Sequence, residues 1–240
     1  MKTIIHIGQH KTGTTSIQSF LQLKKSEFRK EGLYIPDAIL NINNPSHYLL
    51  NVYSLNKNRL SSMKETLLNT HSKVFFNSLK QKLTEDIKKH YQKAKKEGCK
   101  EVIWSNEGLY LLNSTEEYQR LFDLFSKHSE EITCICCFRE VKSYRKSYMQ
   151  QLIKQELTFS NEKDSYKYIA EDSWLFNYNR KKQLLQSVFK DKTKYIKYES
   201  DCMVNKFIST LGYSVLDRDN IRLNTSKYNP NSISKRTTDG

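Results

Sequence analysis

Glycine and proline are scarce, at 7 and 3 of 240 residues. That argues against a collagenous or low-complexity chain, and no linker is found that would split it. Long apolar runs are missing too. Nothing approaches the roughly 20 residues of a spanning helix, and "ITCICCF" (132–138) reads as a buried strand. Residues 2–8 are apolar but too short for a secretory signal, and they run directly into a glycine loop. No zinc spacing of paired CxxC motifs occurs. The five cysteines, Cys99, Cys134, Cys136, Cys137 and Cys202, are odd in number, and three share one strand whose side chains alternate faces. They read as reduced structural thiols in a cytoplasmic protein. Six histidines without paired spacing predict no metal site. Acid is in deficit as well: 26 Asp and Glu face 40 Lys and Arg, a net charge of +14. Most of those cations read as solvated surface, but the balance favours an anionic partner, whether nucleotide, phosphate, acidic glycan or nucleic acid.

What is present alternates. Residues 3–8, 101–105, 132–138 and 194–200 read as strands, with a short extended piece at 32–38 stopped by Pro36. Between them fall helical patterns at 14–25, 61–97, 114–128, 140–156, 177–189 and 201–212. Strand–helix alternation predicts an α/β fold of three layers, with a mainly parallel sheet flanked by helices, as in P-loop NTPases. One domain spans 1–240, and 224–240 is a polar, irregular tail.

The first loop carries the chemistry. In "IHIGQHKTGTTSIQSFL" (5–21), Gly8 and Gly13 have the spacing of a nucleotide-triphosphatase loop, G-x-x-x-x-G-K-[ST]. Thr14 stands where the lysine belongs, and the lysine has moved to Lys11. The amides of Thr12, Gly13, Thr14, Thr15 and Ser16 can still turn toward an anion, helped by the helix dipole. Without a lysine after Gly13, the contact to a β/γ-phosphate bridge is lost. A single 5′-phosphate beside a transferable group suits the loop better.

"KTGTTS" after an "IHIG" strand resembles the phosphosulfate-binding loop of sulfotransferases that use 3′-phosphoadenosine 5′-phosphosulfate (PAPS), most of all their bacterial, carbohydrate-type members. A second motif supports the likeness: "CICCFREVKSYRKSYMQQ" (134–151) sets Arg139 at a strand end and Ser147 eight residues on. The resemblance implies that these two bind the 3′-phosphate of PAPS. Glu140 and Val141 depart from the Asp/Asn-Pro that commonly follows the arginine. "KYIKYES" and "FISTLGY" near the end extend the likeness over most of the chain. It implies transfer of a sulfuryl group from PAPS to a hydroxyl without a catalytic metal, with Lys11 as the charge stabiliser and adenosine 3′,5′-bisphosphate (PAP) as product.

The base is expected near the strand ends. Glu107, just after "VIWSN", is the first choice. His47, after "GLYIPDAILNINNPS", is its rival, as base or as acceptor binder. His10 sits inside the loop, within reach of acceptor or cofactor. The acceptor is a small molecule or glycan, in a pocket built from about 34–60 and 150–180. Two other readings stay open: a P-loop kinase, which wants a lysine after Gly13, and a basic nucleic-acid binder, for which "KSYRKSY" is the cluster to test. Nucleic acid is not the expected partner.

Overall fold

The computed structural model describes residues 1–42, 44, 46–199 and 203–213. The predicted tail, Cys202 and the first residues of the helix expected at 201–212 lie outside them. Five strands form one sheet in the order β2-β3-β1-β4-β5, every pair parallel. They are β1 (Lys2–His6), β2 (Leu33–Tyr34), β3 (Glu101–Ser105), β4 (Glu131–Phe138) and β5 (Thr193–Lys197). The extended piece before Pro36 shrinks to two paired residues. The strand expected over 3–8 has its regular pairing over Lys2–His6, and Ile7 and Gln9 keep single bonds to β4 beyond it.

Alternation along the strands sorts the core into two layers. Ile4, Ile103, Ile135, Cys137 and Ile196 face α1 (Thr14–Leu23), α2 (Lys25–Lys30) and α9 (Met203–Leu211), meeting Ile17, Phe20, Phe28 and Phe207. Ile5, Trp104, Cys134, Cys136 and Phe138 face the other way. There they meet α3 (Leu49–Ser54), α5 (Lys73–Lys96), α6 (Thr115–Ser126), α7 (Val141–Lys154) and α8 (Tyr178–Phe189). Cys99, Cys134, Cys136 and Cys137 are free and buried. Burial pushes the three strand thiols up, so they stay protonated.

Caps fix the helix starts. Ser114 accepts from the Glu117 amide, Asn177 from Arg180, and Glu140 from Lys142 and Ser143. The Glu140 side chain that departs from the Asp/Asn-Pro pattern is thus the cap of α7. The long basic pattern at 61–97 is two helices, α4 (Ser62–Thr70) and α5. They part at His71, whose backbone is extended (φ −126°, ψ 148°), and Gly98 follows α5 at φ 74°.

Strand order positions the site. The chain leaves β1 toward the β2 edge but leaves β4 toward β5. The crevice between the carboxyl ends of β1 and β4 is therefore the switch point where sheets of this type bind ligands.

Candidate functional site

Three sequence-predicted segments leave the carboxyl edges of neighbouring strands: the 7–13 loop from β1, Asn106–Glu107 from β3, and Arg139 from β4. The loop begins as a continuation of the sheet, Ile7 and Gln9 donating their amides to Ile135 and Cys137 at 2.9 and 3.3 Å. Then it turns. A Cβ at Gly8 would lie 2.6 Å from Thr14 Cγ2 and 2.7 Å from His6 Nε2, so only glycine lets the backbone pass. Lys11 and Gly13 both occupy the left-handed region, at φ 64° and 74°. For lysine that geometry costs about 1–2 kcal/mol, and its surroundings hold it there.

Those surroundings come from the second motif. Arg139 Nη1 donates to the Lys11 carbonyl at 3.0 Å, and its amide donates to Gln9 Oε1 at 2.8 Å. Tyr178 on α8 completes the staple, donating to the Arg139 carbonyl at 2.6 Å and accepting from Gln9 Nε2 at 2.9 Å. Arg139 also donates from Nε to Ser143 Oγ at 2.8 Å and lies over the Tyr198 ring, 5.0 Å from its centroid. Its hydrogen-bonding serine on α7 is therefore Ser143; Ser147 is half-buried one turn further on. Thr12 is buried and donates to the Gln9 carbonyl at 2.6 Å. Lys11 and Thr15 are exposed, Gly13 and Ser16 partly so, and Thr14 is buried. No side chain caps α1, so its first amides are left for a ligand.

Under the loop lies His6, fully buried, with Nδ1 2.8 Å from Ser105 Oγ. Burial lowers its pKa to about 3, so the floor beneath the anion site is a neutral ring. Ser105 leads to the third segment. Gln18 Nε2 lies 3.3 Å from Ser105 Oγ and donates to Glu107 Oε2 at 2.9 Å; Ser46 Oγ reaches the same oxygen at 3.4 Å. Glu107 opens a short 3-10 turn, Glu107–Leu111. The end of that turn is held by buried Lys181 on α8, which donates to the carbonyls of Tyr110 (2.9 Å) and Leu112 and lies over the Tyr110 and Trp174 rings.

His47 is only 1% exposed. Its Nδ1 accepts from the Ser105 amide at 3.0 Å, its own amide donates to the Ser105 carbonyl at 2.9 Å, and its ring packs on Trp104. Burial lowers its pKa to about 4. The structure thus gathers Lys11, Thr12–Ser16, Arg139 and Glu107 at one edge of the sheet and sets the His47 ring in the core beside them. Gln9, Gln18 and Tyr178 were not singled out in the sequence. Gln18 had one signal, an amide on the buried side of an otherwise apolar stripe.

A hollow of about 810 Å³ shares no residue with the loop. It is lined by amides, hydroxyls and charges, among them Asn56, Arg59, Glu65, Asn113 and Ser160, with the ring of Phe159. No helix among the described residues is long and apolar enough to cross a membrane, and no metal-ligating cluster is found among them.

No protein-family model and no curated protein matches the chain. Among solved structures, it is similar to a sulfotransferase from Alicyclobacillus acidocaldarius, at 14% identity and TM-score 0.52, over 89% of this chain and 82% of that one. It is also similar to a sulfotransferase domain from the curacin biosynthetic pathway (11%, TM-score 0.47, 90% and 75%). A third is the sulfotransferase domain of the Synechococcus PCC 7002 olefin synthase (13%, TM-score 0.46, 90% and 74%). The first likeness, at its low identity, is one of fold: a parallel sheet flanked by helices, the P-loop NTPase-like α/β architecture.

Proposed function

We propose that this chain transfers a sulfuryl group from PAPS to a hydroxyl of an acceptor, a saccharide being the class we favour. One observation carries the reading: the two anion motifs share a mouth, Arg139 donating to the carbonyl of Lys11. A ligand with two separated phosphate ends, as in PAPS, matches two adjacent anion sites better than a linear triphosphate does. The glycine cradle at Gly8 and the uncapped start of α1 suit the 5′-phosphosulfate. Arg139, with Ser147 and Ser143 on the following helix, suits the 3′-phosphate.

The roles follow from charge. Lys11, exposed at the loop's turn, stabilises the leaving 5′-phosphate as the sulfuryl group departs, and the amides of Thr12 to Ser16 share that load. Glu107, anchored by Gln18 and Ser46, supplies the negative charge that draws the acceptor proton. His47 locks the segment carrying Ser46 onto β3 and so keeps the acceptor side in register. The 810 Å³ hollow draws most of its lining from 34–60 and 150–180, and its amides, hydroxyls and single exposed ring suit a polyhydroxylated acceptor. Sulfuryl transfer here uses no metal.

Calorimetry tests the reading. PAP binds with a low-micromolar Kd without magnesium, and ATP binds much more weakly. ATP bound as tightly as PAP, and only with magnesium, would make the chain a kinase.

A further inference from the structure

His10 is left over from this account. It lies in the loop between Gln9, which staples β4, and Lys11. Its ring packs 5.6 Å from that of Tyr148 on α7, at 60° between planes. The Tyr148 hydroxyl is already engaged, donating to the Tyr166 carbonyl at 3.1 Å. The Nδ1 of His10 is buried with no hydrogen-bond partner, a costly state for a neutral polar group unless a ligand or a shift in the site relieves it. Glu107 complements it. Its Oε2 receives Gln18 and Ser46, while no hydrogen bond reaches Oε1 among the described residues. The charges that act on His10 are Glu107, which favours its protonated form, and Lys11, which opposes it; burial opposes it most.

We propose that His10 is a catalytic residue of this site: its imidazole takes the proton of the acceptor hydroxyl, and the Glu107 carboxylate stabilises the imidazolium that forms. This rests on the sulfotransferase reading and refines it. The acceptor O–H bond breaks as an N–H bond forms on His10. The acceptor oxygen bonds to sulfur, and the bond from sulfur to the 5′-phosphate oxygen breaks, leaving its electron pair on that oxygen beside Lys11. The imidazolium returns its proton to solvent once the product has left. Nothing is oxidised or reduced. Placing the base next to Lys11 in one turn makes the proton acceptor and the leaving-group stabiliser move as a unit. Burial keeps the ring neutral with its lone pair free, and the Glu107 charge offsets part of the cost that burial sets on protonating it.

Two measurements test this without knowledge of the acceptor. The first is the NMR titration of the His10 ring in the PAP complex. Its midpoint lies below the usual histidine value, and Glu107→Gln lowers it further, because a charge that favours the imidazolium is gone. An unchanged or raised midpoint in Glu107→Gln overturns the pairing. The second is transfer to water, read as PAP release from PAPS. His10→Gln slows it by about a hundred-fold, the general-base range, removes the acidic limb of the pH–rate profile, and leaves the Kd for PAP within about threefold of wild type. The His10→Gln/Glu107→Gln double variant is no slower than the slower single one, as expected of residues acting as a unit. His10→Gln turning over at the wild-type rate, or losses that multiply, overturns the assignment while leaving the sulfotransferase reading intact. Failure of the wild-type protein to bind PAP overturns the sulfotransferase reading itself.

Discussion

The loop after β1 and the 810 Å³ hollow are built on opposite principles. The loop is made of backbone. Gly8 passes where a Cβ would collide, Lys11 and Gly13 hold left-handed turns, and the amides of α1 do the binding. Side chains such as Gln9, Thr12 and Arg139 serve mainly to hold that backbone still. The hollow is made of side chains. Its wall is paired charge, with Glu65 taking Tyr166 and Lys167 and Arg59 taking Glu117. A backbone site depends on a few residue types at fixed spacing. A side-chain site can be lined by many combinations of amides, hydroxyls and ion pairs.

The sharpest break of that comparison is Gly8→Ala. The new methyl would sit 2.6 Å from Thr14 Cγ2 and 2.7 Å from His6 Nε2. Neither can retreat, since Thr14 is buried at the start of α1 and His6 is buried under the loop. The expected outcome is a folded protein, destabilised by about 1–3 kcal/mol as overpacking commonly does, with PAP binding lost beyond detection. Thermal melts and calorimetry on one preparation check both halves. Wild-type PAP affinity in Gly8→Ala would mean that the loop's path is not set by close approach.

The same contrast explains what was legible. The alternation of strands and helices, the loop, Arg139 and Glu107 could be read because each is tied to a short pattern with a backbone reason: a glycine pair, a strand end, a cap. The break between α4 and α5 was not, because the whole stretch is polar and helix-prone and the extended His71 carries no proline or glycine. Nor was the staple of Gln9, Tyr178 and Arg139, whose members are 39 to 169 residues apart in sequence. His47 shows the limit from the other side. A histidine in a polar loop reads as a base or an acceptor binder, yet its Nδ1 pairs with the end of β3 and its ring lies on Trp104. That contact is decided by packing, to which local sequence is blind.

Arg139→Ala sharpens the comparison at a middle magnitude, because Arg139 belongs to both principles. It is a side chain that grips a phosphate in the proposed complex, and it also holds the backbone of Lys11. Its removal is expected to cost about 2–3 kcal/mol of PAP binding, the upper range for charged hydrogen bonds. A ligand lacking the 3′-phosphate should lose less, but more than nothing, since the Lys11 tether is gone for both. Equal losses for the two ligands would assign Arg139 to the loop alone.

The smallest effect is expected in the hollow. Phe159 is 46% exposed, so Phe159→Ala gives up only part of its buried area, and surface truncations of this kind change stability by about 0.5 kcal/mol or less. The lining that its ring joins shares no residue with the phosphate motifs. PAP affinity should therefore stay at the wild-type value, while any saccharide that stacks on the ring binds more weakly. Calorimetry with PAP alone, then with the saccharide added to the PAP complex, separates the two. A loss of PAP affinity in Phe159→Ala as large as that in Arg139→Ala would mean that hollow and loop form one coupled site, and the division between backbone-built and side-chain-built regions would fail at the point where it predicts the least.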